Sequence, residues 1–159
     1  MKAVAHLRRL PQLVSTPQDL GLLARMLGWS LVLPVLKRTL PLPRLVALVQ
    51  SGTRLDRRDP RQERKLSDLS EWVFRSRPRR SRDNCLDRAL VTYRYLGRAG
   101  ANPTMVVGVA KDEASPRAGV IGHVWVTVDG SPVHDDDERL AGFVTLAVFS
   151  ANAGMARQY

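Results

Sequence analysis

The spacing of apolar residues changes once along this chain, and that change limits the folds open to it. Up to about residue 99 the apolar residues recur at helical spacing; from Met105 onward they form short strand-like runs separated by turn residues. A block of helices followed by a block of strands gives an α+β architecture. The chain has 159 residues, the length of one domain or of a catalytic core with a helical appendage. At 44% apolar and 25% charged it has an ordinary globular composition.

Thr16-Pro17 with Asp19 is a helix start, combining a cap oxygen, a first-turn proline and an acid near the positive end of the dipole. The helix is expected to run to about Leu33, with Pro34, Pro41 and Pro43 breaking the next stretch of chain. A short helix is then expected over Arg44 to Gln50, ended by Gly52. Leu66, Leu69, Trp72 and Val73 mark an amphipathic helix within Arg57 to Arg80. Ser81-Arg82-Asp83-Asn84 is rich in capping residues, and Cys85 to Ala99 is a strong helix ended by Gly100, with Cys85 in its first turn. Strands are expected over Met105 to Ala110, His123 to Asp129 and Phe143 to Phe149, with a polar loop over Lys111 to Gly119. Asp129-Gly130 signals a hairpin that returns Val133-His134-Asp135 beside the second strand. The expected organisation is a basic helical subdomain over residues 1–80 and a core over 81–159.

One cysteine excludes a disulfide framework, and three histidines leave little material for structural zinc, so the expected setting is the cytoplasm. No signal peptide is legible. The longest uncharged apolar run, Met26 to Leu36, is eleven residues against the about 20 a membrane span needs; contact of the helical half with a membrane surface is left open. The net charge of +10 is uneven: seven basic residues against one acid in 1–53, eleven against five in 54–82, and seven against nine thereafter. With 21 arginines among 25 basic residues, an acidic partner is expected.

A first-turn cysteine is a candidate nucleophile, because free backbone N–H groups and the helix dipole stabilise its thiolate. His123 alternates with Val124, Val126 and Val128, so the valines take one face and His123 the other. The thiol and imidazole meet if the Cys85 helix packs on the His123 face. The acid that orients the imidazole depends on hairpin register: a two-residue loop places Asp136 opposite His123, a three-residue loop Asp135. His134 is read as an ordinary hairpin side chain, and Trp72 and Trp125 as core.

Asn84-Cys85-Leu86-Asp87-Arg88-Ala89-Leu90 with Tyr93 to Leu96, then Val106-Val107-Gly108-Val109, then Gly122 to Gly130, resemble the lasso-peptide biosynthesis B proteins. The match lies in their leader-peptidase part, a member of the transglutaminase-like cysteine-protease group. It covers about residues 80–150, with weaker similarity over Leu31 to Val49; Val124 stands where the family usually has alanine. The resemblance implies a papain/transglutaminase-like core with Cys85 as nucleophile, His123 as general base and Asp135 as orienting acid, and it favours the three-residue loop. It also implies a lasso precursor as substrate and an asparagine-synthetase-like cyclase downstream. Nothing in residues 1–80 resembles the PqqD-like leader-recognition element of longer members, so that element is expected as a separate protein. No metal, cofactor or nucleic acid is implied. The residue-based alternatives are transglutaminase-like acyl transfer and a non-catalytic basic binding module.

Overall fold

The computed structural model describes residues 13–50, 58–75, 84–112, 119–150 and 154–156. Helix α1 spans Pro17–Thr39 and opens on a capping box: the Thr16 hydroxyl accepts from the Asp19 N–H, and the Asp19 carboxylate accepts from the Thr16 N–H at 2.9 Å. Pro34 does not end this helix. It lies inside it, and the break falls instead at Leu40. An internal proline costs about 3 kcal/mol; burial of Leu33 beside it, with Met26 and Leu23 on the same face, opposes that cost. The outer face of α1 carries exposed Leu20, Leu31, Val32 and Val35, and the helix is long and apolar enough to cross a membrane by length and composition alone.

Helix α2, Leu42–Gln50, takes Pro43 into its first turn, where its missing N–H is not needed. Helix α3 spans Pro60–Arg75; Asp59 Oδ1 accepts from the Arg61 N–H at 2.9 Å at its start. The sequence places the end of this helix at Arg80, and the domain boundary there, among residues 76–83, outside the described residues; residues 113–118 of the Lys111 to Gly119 loop lie outside them too. Helix α4 spans Asn84–Arg98 and ends at Gly100, whose φ of 85° is left-handed.

Among the described residues five strands complete the fold: β1 Pro103–Asp112, β2 Gly119–Val128, β3 Ser131–Pro132, β4 Val144–Ser150 and β5 Gly154–Ala156, with a short helix α5 at Asp137–Leu140. They form one sheet in the order β3-β2-β1-β4-β5, and every pairing is antiparallel. Strand β5 is not legible in the sequence. Helix α4 lies on one face of the sheet, against β1 and β2, and α1 to α3 pack on α4. Leu90, Tyr93 and Leu96 of α4 join Met105, Val124, Val126 and Phe149 of the sheet in one apolar cluster, to which Leu23, Met26, Leu45, Val49 and Leu69 of the preceding helices also belong. The α+β expectation holds, and the helical segment and the sheet share a core.

The valine face of β2 is therefore the face on α4, and His123, Trp125 and Thr127 point to the other side. There the Trp125 ring covers Gly108, which faces His123 on β1. A Cβ at Gly108 would stand 2.8 and 2.9 Å from two Trp125 ring atoms, which is the physical reason for a glycine in mid-strand. Trp125 is buried, but against this outer aromatic group and not in the helix–sheet core; Trp72 packs partly buried against that core.

Candidate active site

Cys85 enters the site from the first turn of α4. Since α4 packs on the valine face, thiol and imidazole do not meet across the sheet as strand alternation alone would require. They meet at its edge. Among the described residues β2 has no strand on its outer side beyond Thr127 and Val128, which pair with Pro132 and Ser131, and Val126 C=O accepts from Val133 N–H at 2.9 Å. Strand alternation then turns the Val124 backbone outward too. The Cys85 sulfur receives hydrogen bonds there from the backbone at Val124 and Leu86 and is hydrogen-bonded to the His123 ring.

His123 Nε2 lies 3.1 Å from Asp135 Oδ1. With that nitrogen given to the carboxylate, Nδ1 is the ring atom left for the thiol. The imidazole packs against Trp125, stacked at 5.9 Å between centroids, and Phe143 at 5.5 Å, two rings that also touch each other at 6.1 Å, so its plane is held by aromatic neighbours as well as by hydrogen bonds.

Asp135 reaches His123 by a route the sequence does not suggest. The hairpin loop has two residues, Asp129 and Gly130, with φ of 53° and 82°, and Val128 pairs with Ser131. The three-residue loop is thus overturned. In the observed register a continued ladder would set Asp136 opposite His123, but β3 stops at Pro132, the chain bends over residues 133–135, and the bend delivers Asp135. Asp136 instead occupies the N-terminal cap position of α5.

Two groups hold that bend. Arg88, one helical turn after Cys85 on α4, donates from a single guanidinium nitrogen to Asp135 Oδ2 at 2.9 Å and Oδ1 at 3.2 Å. His134 is no ordinary hairpin side chain: its ring lies 3.0 Å from Ser70 Oγ on α3 and 3.2 Å from Thr92 Oγ1 on α4, with Ser67 Oγ at 3.4 Å. Sequence reasoning passes over Arg88, although its spacing of three from Cys85 places it on the same helix face. Ser70 and Thr92 carry no signal beyond being polar at core positions.

Burial pushes the Cys85 thiol up, but the His123 hydrogen bond, the Val124 backbone and the ring's charge outweigh it and leave the thiol below its ordinary value. His123 is raised to about 9, first by its hydrogen bond to Asp135 and then by that to Cys85, against burial. Burial likewise pushes Asp135 up, and the His123 hydrogen bond and Arg88 charge more than offset it. All three shifts favour a thiolate–imidazolium pair beside an ionised carboxylate. That is the arrangement a nucleophilic thiol with a general acid–base partner requires. Among the described residues no group of three metal-ligating side chains forms.

Residues 26–148 match the transglutaminase-like superfamily. No curated protein and no solved structure matches. The matched span begins in α1 and ends in β4, so it takes in most of the helical segment, the sheet, and Cys85, His123 and Asp135 together. With most of its length matched and a cysteine helix laid on an antiparallel sheet, the chain belongs to the transglutaminase-like superfamily.

Proposed function

We propose that this protein is a cysteine peptidase that removes the leader from a ribosomally made lasso-peptide precursor. The observation that carries the chemistry is the unbroken hydrogen-bonded series Cys85, His123, Asp135 at the edge of β2. The choice of substrate rests on the resemblance of the Asn84 to Leu90 and Gly122 to Gly130 segments to the lasso B proteins.

In this reading the Cys85 thiolate attacks the scissile carbonyl and His123 gives its proton to the leaving amine, which is the N-terminus of the core peptide. Asp135 holds the ring's other nitrogen and stabilises the imidazolium. Water, deprotonated by His123, then releases the leader from sulfur, and the thiol is regenerated. The backbone N–H of Cys85, in the first helical turn, is the natural donor to the developing oxyanion. A separate PqqD-like protein presents the leader, and an asparagine-synthetase-like cyclase uses the freed amine. The basic segment Arg54 to Arg82 contributes the electrostatic attraction to an acidic leader or recognition protein.

The test is mass spectrometry of the precursor peptide encoded beside the gene, incubated with the protein, with and without the neighbouring recognition protein. Cleavage at a single leader–core bond, lost in Cys85→Ala and accelerated by the recognition protein, is the expected result. A joined product of higher mass would establish acyl transfer to an amine. No reaction with both proteins folded and present would refute the peptidase reading.

A further inference from the structure

We infer that Arg88 is a positioning residue that selects Asp135, from the run Asp135-Asp136-Asp137-Glu138, as the carboxylate facing His123. This rests on the active-site reading above and adds a residue that reading does not require. Four consecutive acids come after the hairpin, and backbone register alone would put Asp136 opposite His123. Something outside the ladder must choose, and the guanidinium of Arg88 bonds both oxygens of Asp135. The Asp135 side chain is 4% exposed and that of Arg88 22%, so the carboxylate is held inward by a cation that retains some contact with water.

Arg88 stands three residues after Cys85, on the same face of α4. One helix therefore carries both the nucleophile and the anchor of the acid. Across the site, Oδ1 is shared between His123 and Arg88 and Oδ2 belongs to Arg88. The charged or titratable groups meeting Asp135 from the packed elements are Arg88 of α4 and His123 of β2. From its own segment, His134 is turned to Ser70 and Thr92, and Asp136 begins α5. With Arg88 gone, a nearly buried carboxylate would lose its only cation besides the imidazolium among the described residues. It would then take up a proton or yield its place to Asp136.

The experiment is the pH dependence of Cys85 alkylation by iodoacetamide, which needs no peptide substrate, in wild type, R88Q, R88K, D135N and R88Q/D135N. Wild type is expected to react well below the range of a free thiol. R88Q should move the rise in rate upward by about one pH unit, a loss of about tenfold at pH 6, with native circular dichroism. R88K, which keeps the charge on a side chain of shorter reach, should lie between the two. Because Arg88 acts through Asp135, R88Q/D135N should be no slower than D135N alone.

An R88Q profile that superimposes on wild type, or losses that multiply in the double variant, would overturn the assignment. If R88Q does not fold, R88K decides: a profile between wild type and D135N supports it, and one coincident with wild type overturns it. A wild-type thiol that titrates like free cysteine would remove the active-site reading itself, which is distinct from failure at Arg88.

Discussion

Gly108→Ala tests whether the outer face of the sheet holds the imidazole. The new methyl carbon would stand 2.8 and 2.9 Å from two Trp125 ring carbons and 3.2 Å from the Val144 carbonyl oxygen. Ordinary carbon contacts are about 3.5–4.0 Å, so the indole must retreat by close to 1 Å. It cannot do so freely, since it is buried and packed against both His123 and Phe143. Overpacking of this kind costs about 1–3 kcal/mol. Replacing glycine returns about 0.4–1 kcal/mol through the unfolded chain. The net loss is about 1–2 kcal/mol, equivalent to about 2–8 °C in Tm for a domain of this size. Thermal unfolding by circular dichroism gives the first number. Iodoacetamide alkylation of Cys85 gives the second, and it should slow because the displaced indole tilts the His123 ring out of line with the thiol. An unchanged Tm with an unchanged alkylation rate would show that Trp125 does not press on Gly108 and that the ring is held by its hydrogen bonds alone.

His123→Ala should return Cys85 alkylation to the pH range of an ordinary buried thiol, because the hydrogen bond that lowers the thiol is lost. In Cys85→Ala, Asp135 still raises His123, so the folded state binds a proton the unfolded state releases above about 6.5. Stability of that variant should be full below pH 6.5 and be lost as pH rises through the His123 value, which stays raised by Asp135 but falls short of the wild-type value of about 9 because the Cys85 hydrogen bond is gone. In the wild type the slope should be shallower, because a thiolate in the folded state offsets the extra proton on the ring; urea midpoints from pH 6 to 9 measure both. Thr16→Ala, which removes the cap of α1, should cost about 1 kcal/mol in urea unfolding. Gly130→Ala, at φ 82°, should cost about 1–2 kcal/mol, while Asp129→Asn should leave stability nearly unchanged because asparagine tolerates the left-handed conformation.

Local signals in the sequence mark the elements well. The Thr16 cap, the Gly100 terminator and the Asp129-Gly130 turn each act through a few neighbouring residues, and each stands where its chemistry places it. Pro34 misleads a local reading because the packing that opposes its cost comes from other helices. The candidate site is legible as residue types and order, while the way its members meet is not. Alternation correctly separates His123 from the valines, but it cannot say that α4 covers the valine face and that the thiol passes the strand edge. The two-residue turn fixes a register whose extrapolation points to Asp136. Proline at 132, the bend after it and the bonds from Arg88, Ser70 and Thr92 put Asp135 there instead. Those bonds span 42 to 64 positions, beyond the reach of any local pattern.

The anchoring of His134 on α3 and α4 ties the chemistry to the cooperativity of the whole domain. Helix α3 lies about 60 residues upstream of the bend, yet Ser67 and Ser70 help hold the residue next to Asp135. In mild denaturant, a partial opening that lifts α3 from α4 would release the bend and let the imidazolium lose its carboxylate while most helices persist. The reactivity of one thiol would then report the docking of a distant helix, falling before helicity does.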